Sequence, residues 1–256
     1  MALRLSTGGN EPHDPDERKA ELTEHLAELR TRIIRAIAYC AAGMGVLYVT
    51  YHPVYRVLSD PILRALPNAK FIFTNFTEPF FLKLQISVVG GLIAAAPFVM
   101  LELWGFIAPG LTRMERRGVR LVAPMSIVLF LVGAASAFLV MPMAIRWFLS
   151  YMPDVPGAVL YQNPLTYIVF TIKMMLAFGL VFQLPVALLF LGKVGIISSG
   201  QMIRYWRQIT VGLFTGAMII APSNDIVTML ALAVPLTGLF IGSIWLVKLV
   251  EPKARS

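Results

Sequence analysis

Glu28 stands in the stretch His25-Leu-Ala-Glu-Leu-Arg-Thr-Arg32, directly ahead of a long apolar run. A carboxylate there can pair with Arg32 one helical turn on, or with a cation brought from outside the chain. Glu115 occurs in Pro109-Gly-Leu-Thr-Arg-Met-Glu-Arg-Arg117, the most basic loop. If that segment is helical, the neighbours three and four residues away are Leu111, Thr112, Gly118 and Val119, none of them basic. A solvated loop acid, a pairing with Arg30 or Arg32 across the surface, and a receptor for an external cation all fit. Gln183, in Phe178-Gly-Leu-Val-Phe-Gln-Leu-Pro185, is an amide inside an apolar run. It needs a partner there, either a neighbouring helix or a watered cavity. Pro185 frees a backbone carbonyl one turn back and should bend that helix.

Catalytic and metal chemistry find no support. His13, His25 and His52 are not spaced as a metal cluster, and the single cysteine, Cys40, sits in an apolar run as a small packing residue. Metalloprotease, nucleophile-elbow, Walker and dinucleotide signatures are missing. No catalytic residue, metal or cofactor is expected, and any work done must draw on a gradient or a partner.

These residues must be positioned by membrane helices. Of the 256 residues, 57% are hydrophobic and 14% charged, against roughly 25% charged in soluble domains. Continuous apolar runs mark six candidate spans at 33–51, 79–108, 121–148, 166–191, 208–221 and 226–247. Lipid demands internally bonded backbone, so these are helices and the fold class is an all-α membrane protein. The domain expectation is a tail at 1–20, polar and disordered, one six-helix domain over 21–250, and a second tail at 251–256.

The fifth span is short: its residues rise only about 21 Å against an apolar core of roughly 30 Å. Either residues 203–207 extend the helix, or the bilayer is locally thin. Leu22, Leu26, Leu29 and Ile33 recur at helical spacing, so an amphipathic lead-in helix precedes the first span. The loop 52–78 carries apolar residues at helical spacing, broken by Pro53, Pro61 and Pro67, as expected of short interfacial helices capping the opposite side. Counting Arg35 with the segment ahead of the first span, the four alternate loops and tails hold 6, 4, 3 and 3 Lys and Arg. The opposite side holds Arg56, Arg64 and Lys70, which places both termini in the cytoplasm. The net charge of +8 therefore reads as orientation rather than nucleic-acid binding. Gly212 and Gly216, and Gly238 and Gly242, are four apart within spans five and six, which suits close helix packing inside the fold or self-association. Asp225, in the turn between those spans, is placed to cap the sixth helix.

The chain resembles TatC, the multispanning subunit of the twin-arginine protein translocase. The resemblance rests on His25–Arg32, Ser59-Asp-Pro-Ile62, Thr77-Glu-Pro-Phe80, Trp104-Gly-Phe-Ile-Ala-Pro-Gly-Leu111 running to Glu115, Phe178–Pro185 and Ala221-Pro-Ser-Asn-Asp225. It implies a receptor in a bacterial inner membrane that binds twin-arginine signal peptides of folded proteins and assembles with TatA-like and TatB-like single-span subunits, driven by the proton-motive force. It further implies signal-peptide contacts at Glu28, Glu115, Phe106, Leu111 and Arg30, and partner-helix docking at Gln183 with Phe182 and Pro185. Asp225 matches the outer turn, although Ala-Pro-Ser-Asn-Asp departs from the common Thr-Pro-Pro-Asp. Gln183 stands where the family often has glutamate, and an amide does not titrate. The physical reading agrees with a receptor, since arginine suits paired carboxylates better than lysine. The alternative, a secondary transporter of a small solute, would need charged or broken-helix sites in paired halves, and no repeat is evident.

Overall fold

A computed structural model describes residues 15–65, 71–108, 113–151, 154, 161–220 and 226–250; at 15–24, 65 and 113–121 it describes backbone alone. Among the described residues the chain is helical: α1 (Pro15–Val49), α2 (Tyr51–Ala65), α3 (Glu78–Ile107), α4 (Arg113–Leu149), α5 (Pro164–Val181), α6 (Leu184–Lys193), α7 (Ser199–Arg204), α8 (Trp206–Ile220) and α9 (Ile226–Val250). Among the described residues, five stretches are long and apolar enough to cross a membrane: His25–Val49, Glu78–Ile107, Val122–Leu149, Pro164–Lys193 and Ile226–Val250. The fifth span read from sequence corresponds to α8, whose 15 residues fall short of that length.

Several boundaries differ from the sequence reading, each for a local reason. The lead-in helix and first span form one continuous helix, described from Pro15 to Val49. In the 52–78 loop, Pro53 falls within the first turn of α2 and Pro61 is carried inside it, so one 15-residue helix replaces the expected short pieces. Burial of Leu58 and Ile62 against the bundle holds that helix in place despite Pro61. Residues 203–207 do not simply extend α8: the chain breaks at Tyr205, between α7 and α8.

Chain direction alternates through α1, α3, α4 and α5, so the bundle has two ends. One carries the start of α1 and the end of α3, with Glu28 and Glu102. The other carries α2 and the starts of α3 and α5, and is called here the capped end. The core runs between them, with Leu82, Ile86, Ile168, Ile172, Phe178, Leu232 and Leu236 buried together.

Two glycines bring α1 against α3. A Cβ on Gly43 would stand 2.6 Å from the Gly91 carbonyl oxygen, and one on Gly91 2.6 Å from the Met44 backbone nitrogen. Of the two readings of Gly212, Gly216, Gly238 and Gly242, close packing inside the fold is not found among the described residues. A Cβ at any of the four would meet nothing within 4 Å. Their spacing is the one that suits close approach, but in α8 and α9 it faces away from the chain's own helices.

At the capped end, two segments far apart in sequence are tied together. The Ile72 N–H donates to the Gln162 carbonyl (3.2 Å), and Asn163 Nδ2 donates to Glu78 Oε2 (3.0 Å). Glu78 also accepts from the Thr74 N–H (2.9 Å) and Asn75 Nδ2 (3.3 Å). Asn163 caps α5 with its other side-chain atom, Oδ1 accepting from the Leu165 N–H at 2.8 Å. Nearby, Lys83 Nζ lies 3.9 Å above the Tyr48 ring, a cation–π contact suited to a charge near the end of a span.

Candidate functional site

The charged cluster at the Glu28 end is built from α1 and α3. Residues three, four and seven apart on α1 place His25, Glu28, Arg32 and Arg35 along one side of the helix. The Arg32 Nε and Nη2 groups both donate to Glu28 Oε1, at 3.0 and 2.6 Å. The third arm, Arg32 Nη1, crosses to α3 and donates to Glu102 Oε2 at 3.1 Å. Arg35 Nη1 lies 3.9 Å from the other Glu102 oxygen. Glu102 is the most enclosed member, 13% exposed, against 23% for Arg32, 33% for Glu28 and 59% for Arg35. On the far side of Glu28, His25 Nδ1 stands 4.0 Å from Oε2, and its ring stacks on Phe106 with centroids 4.6 Å apart.

Gly105 makes this crossing possible. A Cβ there would collide with Arg32 Nη1 and Cζ. The guanidinium thus lies across a bare stretch of α3 between Glu102 and Phe106. Carboxylate–guanidinium contacts in so partly enclosed a place are short and directional, and removing one member leaves the others undercompensated.

Glu28 and Phe106, two of the residues expected at the site, are linked through His25, while Arg30 is exposed on α1. Glu115 falls in the first turn of α4, with its side chain outside the described residues, as are Leu111 and Asp225 altogether. Two functional candidates were missed from the sequence, Glu102 and Gly105. The signal for Glu102 was present: an acid inside the apolar run Val99-Met-Leu-Glu-Leu-Trp104 requires a partner.

A second polar node lies where the fourth predicted span breaks. Phe182 and Gln183 separate α5 from α6, and Pro185 sits in the first turn of α6. Where Pro185 was expected to bend the helix, a two-residue turn separates α5 from α6. Gln183 Nε2 donates to the Ser126 carbonyl on α4 (3.0 Å) and toward the Gly179 carbonyl (3.4 Å). Ser126 Oγ in turn accepts from Trp104 Nε1 at 3.0 Å. Ser126 therefore links α3, α4 and the α5–α6 break. Close approach of α4 to α5 requires Gly133, where a Cβ would stand 2.7 Å from the Phe178 oxygen and 2.8 Å from the Phe182 ring. Gln183 also lines an apolar cleft of about 620 Å³, with Cys40, Trp104, Phe130, Leu180 and Phe190.

Fold and site together define a multi-pass helical membrane protein with a charged cluster at one end of its bundle and an open apolar cleft beside a polar helix break. A family model described as Sec-independent protein translocase protein (TatC) matches residues 24–235. The Sec-independent protein translocase protein TatC of Koribacter versatilis is 36% identical over 237 residues, 91% of this chain and 86% of that one. Its counterpart in Aquifex aeolicus is 36% identical over 235 residues, 91% of this chain and 97% of that one. A crystal structure described as the twin-arginine translocase receptor TatC superposes with a TM-score of 0.75 at 33% identity, covering 88% of this chain and 99% of that one. The chain belongs to the TatC family. It is a protein-translocase subunit, a transport component rather than an enzyme.

Proposed function

We propose that the chain is the receptor of its translocase, binding the twin-arginine signal peptides of folded proteins at the Glu28 end. In this reading Glu28 and Glu115 receive the two guanidinium groups, with Phe106, Leu111 and Arg30 around them. Both termini face the cytoplasm of a bacterial inner membrane, and α8 serves as a short sixth membrane helix. The Lys and Arg asymmetry between the two sides supports that orientation. TatA-like and TatB-like single-span subunits dock beside Gln183, Phe182 and Pro185, where the apolar cleft supplies a wall of helical side chains, and the outward glycines of α8 and α9 suit further helix association.

The observation that carries this reading is the occupied state of Glu28. Its carboxylate already holds a guanidinium through two N–H groups, at 2.6 and 3.0 Å, in a partly enclosed pocket. A site that holds one arginine so can hold another, whereas lysine cannot present two such donors from one plane.

The test is crosslinking of a signal peptide to the chain in membranes, comparing an Arg-Arg peptide with its Lys-Lys version on the wild type, Glu28→Gln and Glu115→Gln. Strong Arg-Arg crosslinking, weak Lys-Lys crosslinking and loss of that preference in either variant support the receptor reading. Equal crosslinking of the two peptides on the wild type overturns it.

A further inference from the structure

We infer that Arg32 is an internal competitor for the arginine of the signal peptide, holding Glu28 until displaced, and that Glu102 is the carboxylate that receives Arg32 on displacement. The inference rests on the receptor reading above and adds a mechanism to it.

Four observations carry it. Arg32 occupies the Glu28 oxygen that an incoming guanidinium would need, with two of its N–H groups converging on Oε1. The contact is therefore a block as well as a demonstration of fit. Arg32 is also already shared, since Nη1 reaches Glu102 Oε2 at 3.1 Å. When Arg32 leaves Glu28 it keeps a charged partner, and no bare guanidinium is stranded in an enclosed place.

The third observation is charge balance. Glu28 and Glu102 are matched in number by Arg32 and Arg35. An added arginine makes this group net positive unless a resident cation gives way. Arg35 is suited to do so: it is 59% exposed and its contact with Glu102 is long, 3.9 Å, so water can solvate it on release. The fourth is space. Gly105 leaves the surface of α3 bare beneath Arg32, so the side chain can slide toward Glu102 without meeting a Cβ. Recognition is then an exchange: the peptide's arginine takes Glu28, Arg32 moves wholly onto Glu102, and Arg35 turns to water. Lysine is a poor entrant because it must replace two convergent N–H contacts from a single ammonium. Competition from Arg32 thus raises the discrimination between arginine and lysine above what a vacant carboxylate would give.

The experiment uses the full chain in nanodiscs of phosphatidylethanolamine and phosphatidylglycerol, with fluorescent Arg-Arg and Lys-Lys peptides and Kd read by anisotropy. Arg32→Gln is expected to tighten Arg-Arg binding on the order of 3–10-fold and to tighten Lys-Lys binding at least as much, so the ratio between the peptides shrinks. Glu102→Gln is expected to weaken Arg-Arg binding several-fold, because displaced Arg32 loses its destination. Adding Glu28→Gln to Arg32→Gln removes the gain. A purely structural role for the cluster moves both single variants the same way, toward weaker binding. Arg32→Lys, which keeps the charge and loses the convergent contact, should fall between wild type and Arg32→Gln and replaces it if that variant does not purify folded. Unchanged or weaker Arg-Arg binding in the Arg32 variants overturns the inference, as does weakening in both. If the wild type separates Arg-Arg from Lys-Lys and the Arg32 variants show no gain, only this inference falls. If the wild type does not separate the peptides, the receptor reading falls and takes the inference with it.

Discussion

Gly105 decides at the level of one residue where a guanidinium can rest. Its missing Cβ is the space in which the Arg32 guanidinium rests between Glu28 and Glu102. Because the colliding atoms belong to the far end of a flexible side chain, an added methyl group costs little stability and mainly displaces Arg32. Gly105→Ala should therefore leave the thermal midpoint within a few degrees of wild type and, by closing the path of Arg32 to Glu102, weaken Arg-Arg peptide binding, by less than Glu102→Gln does. A large fall in the midpoint would mean that the bare surface serves backbone packing instead. Gln183 makes the complementary case. Its amide nitrogen is spent on the Ser126 carbonyl, so Gln183→Glu would set a carboxylate against a carbonyl oxygen inside the bundle, losing a hydrogen bond and gaining a repulsion. That change should destabilise the isolated chain by about 1–3 kcal/mol in chemical unfolding.

The helices are joined by contacts of two kinds, and sequence alone separated them poorly. Glycine pairs spaced four apart drew attention to α8 and α9, where a Cβ would meet nothing. Gly43 and Gly91, which belong to different helices and so form no motif in either, are the ones that touch. Gly91→Ala would drive a Cβ against the backbone of Met44 and Gly43, where nothing can rotate away. It should cost about 1–3 kcal/mol, whereas Gly212→Ala and Gly238→Ala in the isolated chain should be neutral within error in the same unfolding assay. The sequence did reveal the apolar runs, the Pro185 break and the Glu28–Arg32 pair, because each is set by residues within about one turn of each other. What it left hidden depended on helix-to-helix register. The Arg32–Glu102 contact joins positions 70 residues apart, and no periodicity within α1 or α3 carries that information. The single helix over Pro61 was hidden for the same reason, since burial against the bundle outweighs a local break.

For the whole molecule, the unequal helix lengths meet the bilayer directly. The 15 residues of α8 rise about 22 Å, roughly 8 Å less than a typical apolar core. The end of α1 at Val49 and the end of α8 near Ile219 are both exposed, 82% and 75%. Single labels at those positions, in a Cys40→Ala background, should place Ile219 several ångströms nearer the bilayer centre than Val49. Ile219 should still be reached by a water-soluble quencher if the membrane thins around α8. Equal depths for the two labels would remove the thinning, and a deep but unquenched Ile219 would mean that α8 is simply submerged.

The tie between Glu78 and Asn163 also has a meaning in time. Synthesis runs at roughly 5–20 residues per second, and 85 positions separate the two residues, so Asn163 is made about 4–17 s after Glu78. Throughout that interval Glu78 has its neighbours Thr74 and Asn75 but lacks the partner that joins it to α5. The capped end is thus completed only after the second helical hairpin has been delivered to the membrane. A nascent chain arrested between those positions leaves Glu78 without Asn163 and the capped end unfinished.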